Sequence, residues 1–374
     1  MSARRLRTGA STAVALVALG TAWATSPPST AARASNACDG GAVATTAAST
    51  PADLDATGLF ADATHTRPAD GVLSFTPQYP LWSDGAAKRR WIRLPRGTSI
   101  DASDPDHWVF PVGTRLWKEF SFGRRVETRL IERVTEREWS FATYVWNEDG
   151  SKATLAPARG VRGACESRPG VRYDVPGVID CGSCHLNRAS VVLGFSALQL
   201  SGDRDPLAPH AETPGEGDVD LARLVERGLV RNLPRSFVET PPRIAAPSST
   251  ERAVVGYLHA NCGACHAPST PLASLGLDLE YSIADAARGT APAATRTTIG
   301  VVSSSSLRTG APKTRVVPGH PETSVLWERL ATTNPYTRMP PLGVHVVDDE
   351  GAALVERWIR SDLAPKTAPE STPR

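Results

Sequence analysis

Cys262-Gly263-Ala264-Cys265-His266, followed downstream by Met339-Pro340-Pro341 and by the apolar stripe Leu354, Val355, Trp358 and Ile359, decides how the C-terminal part of this chain is read. The same pattern stands upstream as Cys181-Gly182-Ser183-Cys184-His185. Two thiols three positions apart can each add to one vinyl group of a single porphyrin edge, and the histidine that follows is then placed to bind the iron. This is the form of c-type haem attachment. With 8 histidines in 374 residues, a histidine directly after both pairs is not a chance arrangement. A thioredoxin-like redox pair expects a βαβ setting, which neither motif has. A zinc knuckle needs two further thiols or histidines close by, and the remaining Cys38 and Cys165 are far apart in sequence.

Methionine sets the next expectation, because there are 2 and the first is Met1. Met339 sits in Thr337-Arg338-Met339-Pro340-Pro341, a proline-stiffened loop that loses little entropy on fixing a ligand. It is expected as the distal ligand of the second haem, opposite His266, and His/Met ligation gives a relatively high potential. The first haem, with His185 as its iron ligand, then has no methionine. Its sixth position is another histidine, an unusual ligand, or open, and His210 is the candidate histidine because it follows the first motif within the same segment. His259 reads as a helix-surface residue or haem-edge contact, His320 and His345 as solvated loop residues, and His65 and His107 belong to the β region.

The 41 basic and 39 acidic side chains nearly cancel, which argues against a nucleic-acid partner, since such binders need a surplus of cations for phosphates. Arg4, Arg5 and Arg7, the apolar run Ala13 to Ala24 and small-residue sites ending at Ala24 and Ala34 read as a secretory signal over residues 1–34. The run is too short for a membrane span, so a periplasmic, exported protein with no membrane span after cleavage is expected. In that oxidising compartment Cys38 and Cys165 are expected to form a disulfide. Residues 35–55 read as a linker. From 56 to 160, six of the nine tryptophans fall among alternating runs such as Val126-Thr128-Leu130 and Trp139-Phe141-Thr143-Val145, with turns at Gly123 and Asn147-Glu148-Asp149-Gly150: an antiparallel β domain whose aromatics fill a core. Residues 161–240 hold the first motif and a short helix, Leu221 to Gly228. Behind Pro241 to Pro247, Ser248-x-x-Glu251 opens a helix as a capping box, and Asp348-Asp349-Glu350 opens the last one. Ser324 to Leu330 reads as a further helix, Thr290 to Thr314 as a long loop, and 364–374 as a tail. The fold class is α+β.

Residues 248–363 resemble class I cytochrome c. The matching features are the entry helix, Cys262 to His266, Met339-Pro340-Pro341 and a closing helix with Trp358-Ile359. The resemblance implies first and last helices crossing near the haem, with Gly256 and Tyr257 against Trp358. The mature chain also resembles a family of bacterial periplasmic dihaem c-type cytochromes. That likeness is carried by Pro80-Leu81-Trp82-Ser83-Asp84-Gly85-Ala86, Lys88-Arg89-Arg90-Trp91, Glu127-Thr128-Arg129, and Leu193-Gly194-Phe195 behind the first motif. It implies two covalent haem c (heme c) groups and electron transfer with redox partner proteins, without naming a substrate. An enzyme resembling dihaem peroxidases, using the Met-free first haem, is the alternative.

Overall fold

The computed structural model describes residues 44–45, 50–186, 188–304 and 312–365. The signal segment and Cys38, and with them the expected partner of Cys165, lie outside the described residues. Alternating apolar and polar residues build the strands: β1 Ala44–Thr45, β2 Val72–Ser74, β3 Ala87–Arg93, β4 Ile100–Asp101, β5 Arg115–Phe122, β6 Arg124–Arg133, β7 Trp139–Trp146, β8 Ala153–Leu155, β9 Val161–Arg168, β10 Val171–Val175 and β11 Val230–Arg231. The main sheet runs β1-β7-β6-β5-β3-β2, with β8 also on β7; all neighbours are antiparallel except β1 on β7. Gly123 turns β5 into β6 at φ +69°, a left-handed conformation that glycine adopts without strain.

The two faces of this sheet have different coverings. On one, Trp91, Trp117, Leu130 and Ala142 stand in register across β3, β5, β6 and β7 and pack under Leu54, Leu59 and Phe60. On the other, Ile92, Leu116 and Phe141 join Val191, Phe195, Leu198 and the helices in a core that extends to Ile359. Each large apolar side chain buried there contributes on the order of 2 kcal/mol. The described residues belong to one unit, Gly40–Arg374, whose largest core joins the sheet to the helices.

The helices are α1 Val178–His185, α2 Leu221–Glu226, α3 Ser236–Glu239, α4 Ser249–Asn261, α5 Ile283–Ala287, α6 Ala293–Thr298, α7 Val325–Leu330 and α8 Asp349–Arg357, the last continuing into a wider turn over Trp358–Asp362. Helix α4 starts as its sequence dictates, with Ser248 Oγ accepting the Glu251 N–H at 3.0 Å. The Glu251 carboxylate does not complete the box; it accepts from Trp358 Nε1 at 3.1 Å and so links the first helix of this half to the last. Leu354, Val355, Trp358 and Ile359 are all buried. Among the described residues no helix is long and apolar enough to cross a membrane.

Four expectations need correction. The β structure extends past residue 160, because β9 and β10 form a hairpin up to Val175. The expected linker ends earlier, since Leu54 is fully buried under the sheet. The supposed loop 290–314 contains α6, where the Thr297 and Thr298 hydroxyls bond back to the carbonyls of Ala293 and Ala294. Gly256 does not face Trp358: a Cβ there would lie 2.1 Å from the Tyr79 ring, and the close approach on Tyr257 is made by Gly351 of α8.

Candidate functional site

The first motif is the last turn and a half of α1, which lies against β7. The Cys181 thiol meets the Thr143 hydroxyl, and the His185 ring sits 5.7 Å from that of Phe141. His185 Nδ1 is 2.7 Å from the Val191 carbonyl. A carbonyl only accepts, so Nδ1 carries the proton and Nε2 keeps its lone pair, the tautomer that a metal-binding imidazole needs. Burial pulls the His185 pKa down to about 4, so the ring is neutral at pH 7. Leu186 N–H bonding to Gly182 O at 2.9 Å closes the helix just beyond the motif.

The second motif follows the end of α4. Cys265 N–H and His266 N–H both bond to the Cys262 carbonyl, at 3.0 and 2.9 Å, which winds the five residues into a tight turn. Gly263 is required inside it, because a Cβ would stand 2.7 Å from the His259 carbonyl. Cys262 opens onto a recess shared with Tyr257, Leu330, Met339, Val344 and Val346, mostly apolar in lining. Burial raises the Cys262 thiol to about 12 and lowers the His266 imidazole below its ordinary value, and His266 Nδ1 is buried without a partner. Trp327 Nε1 and Arg338 Nε are likewise buried N–H groups without partners on the segments that carry Leu330 and Met339. Unsatisfied buried donors are uncommon and call for an acceptor. The sixth-ligand candidate is held by its backbone, with Met339 N–H on the Arg329 carbonyl at 2.9 Å.

Part of the wall of this recess comes from the β region, joined to the end of α4. Trp82 donates its backbone N–H to Asn261 Oδ1 at 2.7 Å and its indole N–H to the Val346 carbonyl at 3.2 Å. Asp84, almost fully buried, accepts the His345 and Val346 backbone N–H groups at 2.7 and 3.0 Å. Pro80 to Ala86, notable in the sequence only as a specific string, is thus the strap that fixes the loop between Met339 and α8.

The two motifs meet. The Cys184 and Cys265 thiols lie beside each other, and their interaction pushes Cys184 up and holds Cys265 below its ordinary value. The Arg188 guanidinium lies beside both. Arg188 is itself buried, paired with Glu280 at 3.0 Å, and its Nε and Nη1 have no partner. No sequence signal pointed to this junction. The four motif cysteines do not form a zinc-type set: among the described residues no group of three or more His, Cys, Asp or Glu side chains is arranged to hold a metal ion on protein ligands alone.

The remaining histidines are committed elsewhere. His210, the candidate sixth ligand of the first haem, places Nε2 2.7 Å from Asp348 and Nδ1 3.2 Å from Glu350, and its ring stacks on Trp82 at 4.5 Å. It stands at the rim of the Cys262–Met339 recess with both nitrogens on carboxylates, an arrangement that leaves no lone pair for iron at the first motif. His259 Nδ1 accepts the Tyr281 N–H at 3.0 Å, so Nε2 holds its proton. His107 lies between Asp104 and Glu280, and His65 pairs with Asp55. His345 is not a free loop residue: Nδ1 lies 3.1 Å from Asp84 and Nε2 3.4 Å from Asp174. His320 is exposed, as expected. The tryptophans of the β strands fill its cores, and Trp82 is the one of the six that lines the recess.

No protein-family model, curated protein or solved structure matches the chain.

Proposed function

We propose that the chain is an exported dihaem c-type cytochrome that transfers electrons between redox partner proteins. Cys181 and Cys184 would carry one covalent haem c with His185 on its iron, and Cys262 and Cys265 the other, with His266 and Met339. The observation that carries this reading is the recess that brings Met339, 73 positions from His266 in sequence (339 minus 266), to the same apolar lining as Cys262. Two further observations fit. The His185 tautomer leaves Nε2 as a lone pair, and the orphaned N–H groups of Trp327 and Arg338 would take the carboxylates of a porphyrin. Haem supplies a one-electron couple, and thioether ligation favours its ferrous state.

The chain's own residues do the rest. Val191 fixes the His185 ring, Arg329 and the Asp84 strap hold the Met339 loop, and Tyr257, Leu330 and Val346 keep water from the second centre. The contact of Cys184 with Cys265 joins the two attachment sites edge to edge, a layout suited to passing electrons within the chain.

The absorption band of His/Met ligation tests this assignment. It is expected in the wild-type protein and absent from Met339→Ala, with haem content unchanged; a band that survives the substitution refutes the ligand. A second reading, an enzyme resembling dihaem peroxidases, is favoured by the commitment of His210, His259, His107 and His345 to other partners, which leaves the sixth position of the first centre without a histidine. Peroxide turnover together with a high-spin ferric signal in the half-reduced protein would select it.

A further inference from the structure

We propose that Lys88 and Arg90 of β3, Lys118 of β5 and Arg129 of β6 form a binding site for a carboxylate group on the sheet face beneath the first motif. Register places three of these cations in one row: Arg90 lies opposite Lys118, and Lys118 opposite Arg129. The next position in the row is Thr143 of β7, whose hydroxyl meets the Cys181 thiol. The row therefore ends at the first motif. Lys88, two residues before Arg90, is on the same face.

Like charges directly opposite one another on neighbouring strands destabilise a sheet unless anions intervene. Two of the four have one. Arg90 forks onto Glu212 at 2.5 and 3.3 Å, and Arg129 onto Glu127 at 2.6 and 3.1 Å, a carboxylate that also accepts the Tyr173 hydroxyl. The other two have none. Lys118, between the two arginines, makes no ion pair or hydrogen bond among the described residues, and its ammonium rests 5.1 Å over the Phe120 ring. Lys88 donates only to its neighbouring carbonyl at Ala86, 3.0 Å away. The four cations face Glu127 and Glu212, with Asp348 also acting on Lys88, in a setting where burial disfavours the charged amines and pushes Lys88 down to about 8 and Lys118 well below its ordinary value. A desolvated cation without a counter-charge is expensive, and a carboxylate between Lys88 and Lys118 supplies what the site lacks. Phe141, two residues before Thr143 and on the same face of β7, has its ring 5.7 Å from that of His185, so the bound anion would lie beside the first centre.

Two sources share this chemistry: a porphyrin propionate at the first motif, or a free small carboxylate. The first rests on the haem reading given above. The experiment uses the exported holoprotein, with haem content measured on every sample, and compares wild type with Lys118→Met and Lys118→Arg. If a propionate occupies the site, Lys118→Met lowers the midpoint potential of the Met-free centre alone and Lys118→Arg restores it. If the occupant is free, added acetate perturbs the first-centre spectrum of wild type and binds at least tenfold more weakly to Lys118→Met. Should Lys118→Met fail to fold, Lys88→Met takes its place in both arms. With two haems present, unchanged potentials together with acetate binding that is absent or equal in all variants overturn the proposal. A haem content below two in wild type instead strikes the haem reading; acetate binding is then followed by isothermal titration calorimetry, and binding that is absent or equal in all variants overturns the site.

Discussion

Gly256→Ala should destabilise this protein, although the same change at an open helical position would stabilise it. Alanine is favoured over glycine in a helix interior by about 0.8–1.0 kcal/mol. At Gly256, however, the new Cβ would stand 2.1 Å from Tyr79 Cε1 and 2.4 Å from Cδ1 and Cζ, so the ring must retreat by well over 1 Å to reach ordinary contact near ~3.5–4 Å. Tyr79 cannot do this freely. It is 2% exposed, its backbone N–H is held by Gln199 Oε1 at 3.0 Å, and its hydroxyl donates to the buried Asp205 at 3.1 Å. Overpacking costs typically 1–3 kcal/mol, and detaching a hydroxyl from a buried carboxylate a further 1–3. Set against the propensity gain, the net loss is about 1–5 kcal/mol, a fall of several degrees in Tm for a chain of this size. Thermal and urea unfolding of Gly256→Ala, Tyr79→Ala and the double variant measure it. The double variant should be no less stable than Tyr79→Ala, because removing the ring removes the clash. Gly256→Ala at or above wild-type stability, or additive effects in the double variant, would show that the Tyr79 ring does not constrain Gly256.

Other expectations are as concrete. Glu127→Ala should lose about 3–5 kcal/mol in urea denaturation, because Glu127 is fully buried and its removal strands Arg129 as an uncompensated charge; a loss below about 1 kcal/mol would contradict that burial. Without haem, in oxidising buffer, the contact between Cys184 and Cys265 should yield a disulfide joining the two motifs, seen as one cross-linked peptide by mass spectrometry; only intramotif pairs would show that the junction is misplaced. His107 is raised to about 9 by Glu280, 3.8 Å from Nε2, and by Asp104, 3.1 Å from Nδ1, against the opposing effect of burial. A raised folded pKa stabilises fully below the unfolded value near ~6.5 and is lost as pH rises through the folded one. His107→Gln should therefore flatten the decline in stability between about pH 6.5 and 9. An unchanged profile would remove His107 as its source.

Local signals were read well from sequence because their physics is local. Ser248 caps α4 through the amide three residues on, Gly123 turns β5 into β6, and the closing stripe around Trp358 is buried as its spacing requires. What escaped depends on residues far apart in the chain. The Glu251 carboxylate was spent on Trp358 rather than on its own helix end, and Gly256 was shaped by Tyr79 rather than by the closing helix. Alternation within β3, β5 and β6 does not say which face is covered, and Arg90, Lys118 and Arg129 share the face that carries Ile92 and Leu116 into the main core. Only strand register shows that. The candidate site follows the same division: the two motifs and Met339 stand out as strings, whereas the strap from Trp82 to Asp84, the placement of His210 on Asp348 and the meeting of Cys184 with Cys265 arise from packing.

The proposed function requires two unequal covalent haems on this chain. A spectroelectrochemical titration of the purified protein, scaled by a pyridine haemochrome determination, decides between one haem and two. Two haems per chain are predicted, resolving into two one-electron steps, with the higher-potential step carrying the His/Met band and disappearing from its position in Met339→Ala. One haem per chain, or two centres of identical potential unaffected by Met339→Ala, would contradict it.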